Sequence, residues 1–127
     1  MKNHLLLAVM MLLPMVASAD AVEINGIWYN LTDETKQAEV TEAPSNYGNY
    51  SGSVVIPEKI TYGSDEYSVT SIGIRAFSGC SGLTSIIIPN SVTKIMHWAF
   101  ENCSGLTSVT IPNTVTEISQ GTFRNCI

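Results

Sequence analysis

The sequence predicts a β-rich solenoid of 23-residue coils, closed at its N-terminal side by an antiparallel β cap. Three observations lead there. "GCSGLTSIIIPN", residues 79–90, returns as "NCSGLTSVTIPN", residues 102–113, with nine of twelve letters unchanged and a shift of 23. Each copy holds a run that alternates with period two, the mark of a half-buried strand. Residues 20–67, by contrast, carry strand-like runs that do not repeat.

The first nineteen residues read as a signal peptide. Lys2 precedes an apolar run from Leu5 to Val16, and Ala17-Ser18-Ala19 supplies a small-x-small cleavage pattern. The run has twelve residues, whereas crossing a bilayer takes ~20, so a transmembrane anchor is the weaker alternative. No Cys stands at the cleavage point for a lipid anchor. The expected product is an exported chain, secreted or held at the cell surface, with no transmembrane segment after cleavage between Ala19 and Asp20.

Residues 20–67 follow as the cap. "INGIWYNL" (24–31), "QAEVT" (37–41), "SGSVVIP" (51–57) and "KITYG…EYSVT" (59–70) read as strands. Glu34-Thr35-Lys36, Pro44-Ser45-Asn46 and Gly63-Ser64-Asp65 are the breaks between them. A first coil left bare would expose its apolar ladders to water, so an atypical terminal unit normally covers it.

Residues 68–127 hold the repeats, about two and a half coils. At a period of 23, columns form: Val69, Val92 and Val115; Ile72, Ile95 and Ile118; Phe77, Phe100 and Phe123; Cys80, Cys103 and Cys126. One repeat cannot bury its apolar face alone, so each column becomes a ladder inside the stack. Within a coil, Leu106–Pro112 reads as the main strand, ended by Pro112, which donates no ladder hydrogen bond. Val115–Ile118 reads as a second short extended piece, and His97–Cys103 as one turn of helix. The Ser-Gly pairs at 81–82 and 104–105 turn the chain into the next strand.

The pattern A-F-x-x-C-S-G-L-T-S-I-x-I-P-x-S-V-T-x-I resembles the BspA-like branch of the leucine-rich repeat family, over residues 68–127. The resemblance implies a solenoid of the leucine-rich-repeat type and a secreted or surface-displayed bacterial protein that adheres or binds rather than catalyses. It also implies that the main sheet is the preferred binding face.

Chemistry is sparse. The net charge of −5 becomes one unit more negative once Lys2 is removed, and no basic run occurs, so a nucleic-acid partner is not expected. His97 is the one histidine outside the leader, and no G-x-S-x-G, H-E-x-x-H or phosphate loop is present. No enzyme activity and no cofactor are expected. The three cysteines suit free thiols packed as small core residues. In-register side chains would hold their Cβ atoms ~4.8 Å apart, beyond the ~3.8 Å a disulfide prefers. Three thiols in a line also make a poor tetrahedral metal site.

Functional residues are therefore sought in the letters that vary. Ser85, Ile87, Ser108 and Thr110 alternate with core letters and should face outward on the main strand. Trp98 shares its column with Arg75 and Gly121, so the scaffold does not demand an aromatic there. It is expected to be exposed for contact, the alternative being that it lies across a neighbouring coil. The expected function is an exported interaction or adhesion module whose partner is a protein or glycan at a cell or matrix surface. The alternative is a structural spacer or an inert truncated fragment of a longer repeat protein. The third period stops at Ile127, leaving Val109, Ile111, Val115, Ile118 and Phe123 partly open, and either end-to-end self-association through this coil or fraying from about Thr114 onward is expected.

Overall fold

The computed structural model describes residues 21–44 and 50–126. The expected signal peptide and cleavage site lie outside the described residues, as do Ser45 and Asn46 of the second expected break.

The described residues open with a hairpin. β1 (Val22–Ile24) and β2 (Ile27–Thr32) pair antiparallel, with Ile24 opposite Ile27. Asn25 and Gly26 between them have φ of 52° and 88°, the left-handed pair that a two-residue hairpin turn requires. "INGIWYNL" is thus not one strand, and the Asn-Gly dipeptide splits it. β3 (Gln37–Thr41) returns antiparallel to β2 after a turn ending at Lys36. β4 (Gly52–Val55) leaves this layer. A second hairpin follows, β5 (Lys59–Tyr62) against the first half of β6 (Asp65–Ile72). Then come β7 (Leu83–Ile87), β8 (Lys94–Ile95), β9 (Ser108–Thr110) and β10 (Glu117–Ile118).

Among the described residues these strands form two sheets. The larger runs β1-β2-β3-β6-β8-β10, with β5 beside β6, and the smaller runs β4-β7-β9. From β6 onward in the larger sheet, and throughout the smaller sheet, the pairing is parallel, and its step is 23 from β6 to β8 to β10 and from β7 to β9: Ser71 faces Lys94, Lys94 faces Glu117, and Ser85 faces Ser108. A constant step is what stacked coils of equal length produce.

"SGSVVIP", expected inside the antiparallel cap, is instead the first rung of the smaller sheet. Ser53 faces Ser85, Val54 faces Ile86 and Val55 faces Ile87, all in parallel. Coil geometry therefore begins at Gly52 and not at residue 68. The β5–β6 hairpin hides this in the sequence, because Ser53 and Ser85 are 32 residues apart where the later rungs are 23 apart.

Nor does the third wall of each coil contain the expected turn of helix; among the described residues no helix occurs. Its amides alternate between two partners. Ala99, Glu101 and Cys103 donate to Met96, Trp98 and Phe100 three residues back, whereas Trp98, Phe100 and Asn102 donate to Gln120, Thr122 and Arg124 of the next coil. The same holds one coil earlier from Arg75 to Cys80. Two positions per turn are left-handed: Arg75, Trp98 and Gly121 at φ of 58°, 56° and 71°, and Gly79, Asn102 and Asn125 at 77°, 61° and 60°. A left-handed residue ends a helical run at once. The apolar spacing that suggests helix here serves a stack of tight turns.

The core lies between the three walls. Phe77 and Phe100 are fully buried and stack at 5.1 Å between ring centres, and Phe123 continues the stack at 5.4 Å. Each fully buried Phe or Ile stabilises by about 1.5–3 kcal/mol relative to exposure. Tyr50 starts the aromatic column, 4.7 Å from Phe77. Its hydroxyl accepts from the Trp28 amide at 2.9 Å and donates to the Thr41 carbonyl at 2.8 Å. One side chain thus ties the β2–β3 layer to the coils.

Candidate interaction surface

The smaller sheet turns one face to the core and one outward. Leu83, Ile86 and Ile88 are buried, and the alternate positions form two outward columns. Ser53, Ser85 and Ser108 make a polar column; Val55, Ile87 and Thr110 make an apolar column that ends in a polar residue. Rungs of one sheet are ~4.8 Å apart, so each column is a straight rank. The Ser53 and Ser85 hydroxyls share a 2.7 Å hydrogen bond. Val55 is 60% exposed and Ile87 45% exposed.

Four of the five expected site residues meet here. Ile87, Ser108 and Thr110 are exposed as expected, and Ser85 is half-buried against its neighbours. Ser53 and Val55, which complete the ranks, escaped the sequence reading because the β5–β6 hairpin displaces them from the 23-residue period. The signal that finds them is the S-x-[VI] pattern followed by Ile-Pro, shared by Ser53–Pro57 and Ser85–Pro89.

Trp98 lies on the turn wall, apart from the other four, and it is not exposed but half-buried. The Arg75 guanidinium sits over its ring at 4.5 Å, and the His97 ring centre is 5.3 Å away. A Cβ on Gly121 would collide with Trp98 Cδ1. The indole therefore lies across the next coil, against a residue small enough to admit it.

The cysteines are free thiols. Cys103 Sγ donates to the Phe77 carbonyl at 3.0 Å, and Cys126 Sγ to the Phe100 carbonyl at 2.8 Å. Each thiol thus satisfies a carbonyl of the preceding coil, which accounts for a small donor in this column. Burial pushes Cys103 up to about 12, with the neighbouring thiols adding to the rise, and burial raises Cys80 as well. Such thiols stay protonated and unreactive at neutral pH. Among the described residues no three of His, Cys, Asp and Glu are grouped so that they could hold a metal ion, and no helix is long and apolar enough to cross a membrane.

Known proteins share this architecture. Residues 52–127 match the family model described as BspA type leucine rich repeat region, in six copies. The start of the match coincides with the first rung, β4. A leucine-rich repeat protein from Bacteroides ovatus is 40% identical, with a TM-score of 0.74 over 83% of this chain and 27% of that one. A leucine-rich cell surface protein from Faecalibacterium prausnitzii is 31% identical, with a TM-score of 0.68 over 84% and 28%. A leucine-rich repeat protein of T. pallidum is 27% identical, with a TM-score of 0.67 over 84% and 46%. The chain thus spans about a quarter of the length of the first two. No curated protein matches the chain. With the family model covering more than half of the sequence, and parallel rungs stacked where it matches, the chain belongs to the BspA-type leucine-rich repeat family.

Proposed function

We propose that this chain is an exported, non-enzymatic interaction module that presents the outer face of the β4-β7-β9 sheet to a protein or glycan at a cell or matrix surface. The observation that carries the reading is the rank of exposed Val55 and Ile87 beside the serine column. An apolar strip fixed on a hydrogen-bonded sheet costs little ordering entropy on binding. Export rests on the Lys2-to-Ala19 pattern, and surface display draws support from the cell surface protein of similar fold. Protonated, buried thiols and dispersed acids favour binding over catalysis.

The test is a screen of the chain against matrix proteins and a glycan array, repeated with Ile87→Lys and Thr110→Lys together. Binding that disappears in the double variant, with an unchanged melting temperature, supports the outer face. Binding that survives it sinks this assignment, and no binding at all leaves the structural spacer. A second reading is end-to-end self-association. Ile118 is 52% exposed and Ile111 37% exposed on the last described rungs, and among the described residues β9 and β10 each have one paired edge. Light scattering that shows growth with concentration would support it, and a concentration-independent monomer would exclude it.

A further inference from the structure

We propose that the free edge of β4 docks one extended peptide strand of a partner protein, running parallel to β4 with its carboxyl terminus toward Lys59. The proposal deepens the interaction-module reading but uses the edge of the sheet and not its outer face.

Among the described residues β4 ends the smaller sheet, with β7 as its one paired neighbour. The Gly52 amide donates to Gly82 O at 2.9 Å and the Ile56 amide to Ile87 O at 3.0 Å. Backbone groups alternate sides along a strand, so the N–H and C=O groups of Ser53 and Val55 point away from β7. β4 carries neither Pro nor charge, two of the devices that blunt an exposed edge.

The surroundings select the occupant. The larger sheet continues past β6 through β3, β2 and β1, about 14 Å of additional strands at ~4.8 Å each. Among the described residues the smaller sheet gains no strand at that end. The result is a step. A second stacked coil, with two sheets to match, meets β1–β3 before it reaches β4, whereas a single strand fits under the overhang.

Two clefts lie along this edge, of about 420 and 260 Å³, and both are bounded by Asn25, Ile27 and Val55. The larger also takes in Ile24 and Ile60 and can receive an apolar side chain. Its one charged wall residue is Lys59, beyond the C-terminal end of β4. A parallel strand delivers its carboxylate to that end. The mode is strand addition, with main-chain hydrogen bonds for affinity and the cleft for selectivity.

The probe is a synthetic octapeptide with the sequence of residues 104–111, SGLTSVTI, which carries the parallel rung beside β7, prepared with a free carboxylate. Hydrogen exchange of the full chain with saturating peptide should slow the Ser53 and Val55 amides by about tenfold or more. Val55→Pro removes an amide that faces the cleft and not β7, a tolerated place for Pro in an edge strand. It should weaken binding about tenfold with little change in melting temperature. Should that variant not fold, the peptide N-methylated at alternate residues carries the same test and should not bind. Lys59→Gln should weaken the free-acid peptide and leave the amidated peptide unchanged. Absence of binding, protection at Val109 and Ile111 instead of Ser53 and Val55, or loss of binding with Ile87→Lys but not with Val55→Pro would each overturn the proposal. The last result would retain the outer-face reading while removing this one.

Discussion

Trp98 combines a bulky side chain with a left-handed backbone, φ 56°. That conformation costs of order 1–3 kcal/mol outside glycine, so the contacts with Arg75 and the coil beneath must offset it. Gly121, one coil on, is the counterpart that makes room. Gly121→Ala adds both backbone strain and a clash with the indole, and should destabilise by about 2 kcal/mol. In the Trp98→Ala background the clash vanishes and the cost should fall to roughly 1 kcal/mol, which a denaturation double-mutant cycle measures. Phe100→Ala, which opens a hole in the aromatic stack, should cost ~3–5 kcal/mol. A loss for Trp98→Ala as large as that for Phe100→Ala would contradict the half-buried placement. The core's titrating groups set a pH limit. Cys103 moves from an ordinary 9.0 to about 12, and Tyr50 from 10.0 to about 12, each chiefly through burial. A raised value in the fold means that the native state holds its proton longer than the unfolded chain. Stability should therefore be flat from pH 7 to about 8 and fall as pH rises from about 9 toward 12. Urea midpoints across that range check this, and a midpoint that rose with pH would contradict it.

At the scale of elements, the turns separate what the sequence shows from what it conceals. Gly26 has a φ of 88° with open space around a notional Cβ. Gly26→Ala should thus cost only the backbone share, about 1 kcal/mol, and should loosen β1 in hydrogen exchange without disturbing the coils. Strand positions were legible because β-branched letters at period two respond directly to a sheet with one buried face. The boundary of the first coil was not, since a hairpin inserted between Pro57 and Val69 shifts Ser53 and Val55 out of the repeat. The turn wall misled for another reason. Ala99, Phe100 and Cys103 have helical spacing because three-residue turns also return side chains to one side, and only backbone sign distinguishes the two. Gly79 and Gly121, set in the same columns as Asn102 and Trp98, were the available sign. Of the candidate surface, the alternating letters of β7 and β9 could be read one by one. Trp98 could not, because a variable column is compatible both with solvent and with an indole laid over a glycine.

For the molecule as a whole, burial is greatest in the middle of the stack. Ile72, Leu83, Ile86, Ile95 and Phe100 are fully buried, whereas their counterparts Leu106, Val109, Ile118 and Phe123 are not. Hydrogen exchange should accordingly be slowest at Ile86 and Ile95 and fastest from Thr114 onward. Uniform protection through Phe123 would show a closed final coil. The three-walled stack also has a mechanical meaning. On every wall, the bonds that join one coil to the next lie along the stack axis, and β1 and β10 lie at opposite edges of the larger sheet. Tension applied along the stack through β1 and β10 therefore loads the bonds of one rung before those of the next, and the coils should peel away in sequence at low force. Each 23-residue coil that comes free should lengthen the chain by about 75 Å. A module of this kind would act as an extensible tether, yielding by one coil at a time while the aromatic stack behind the break stays intact.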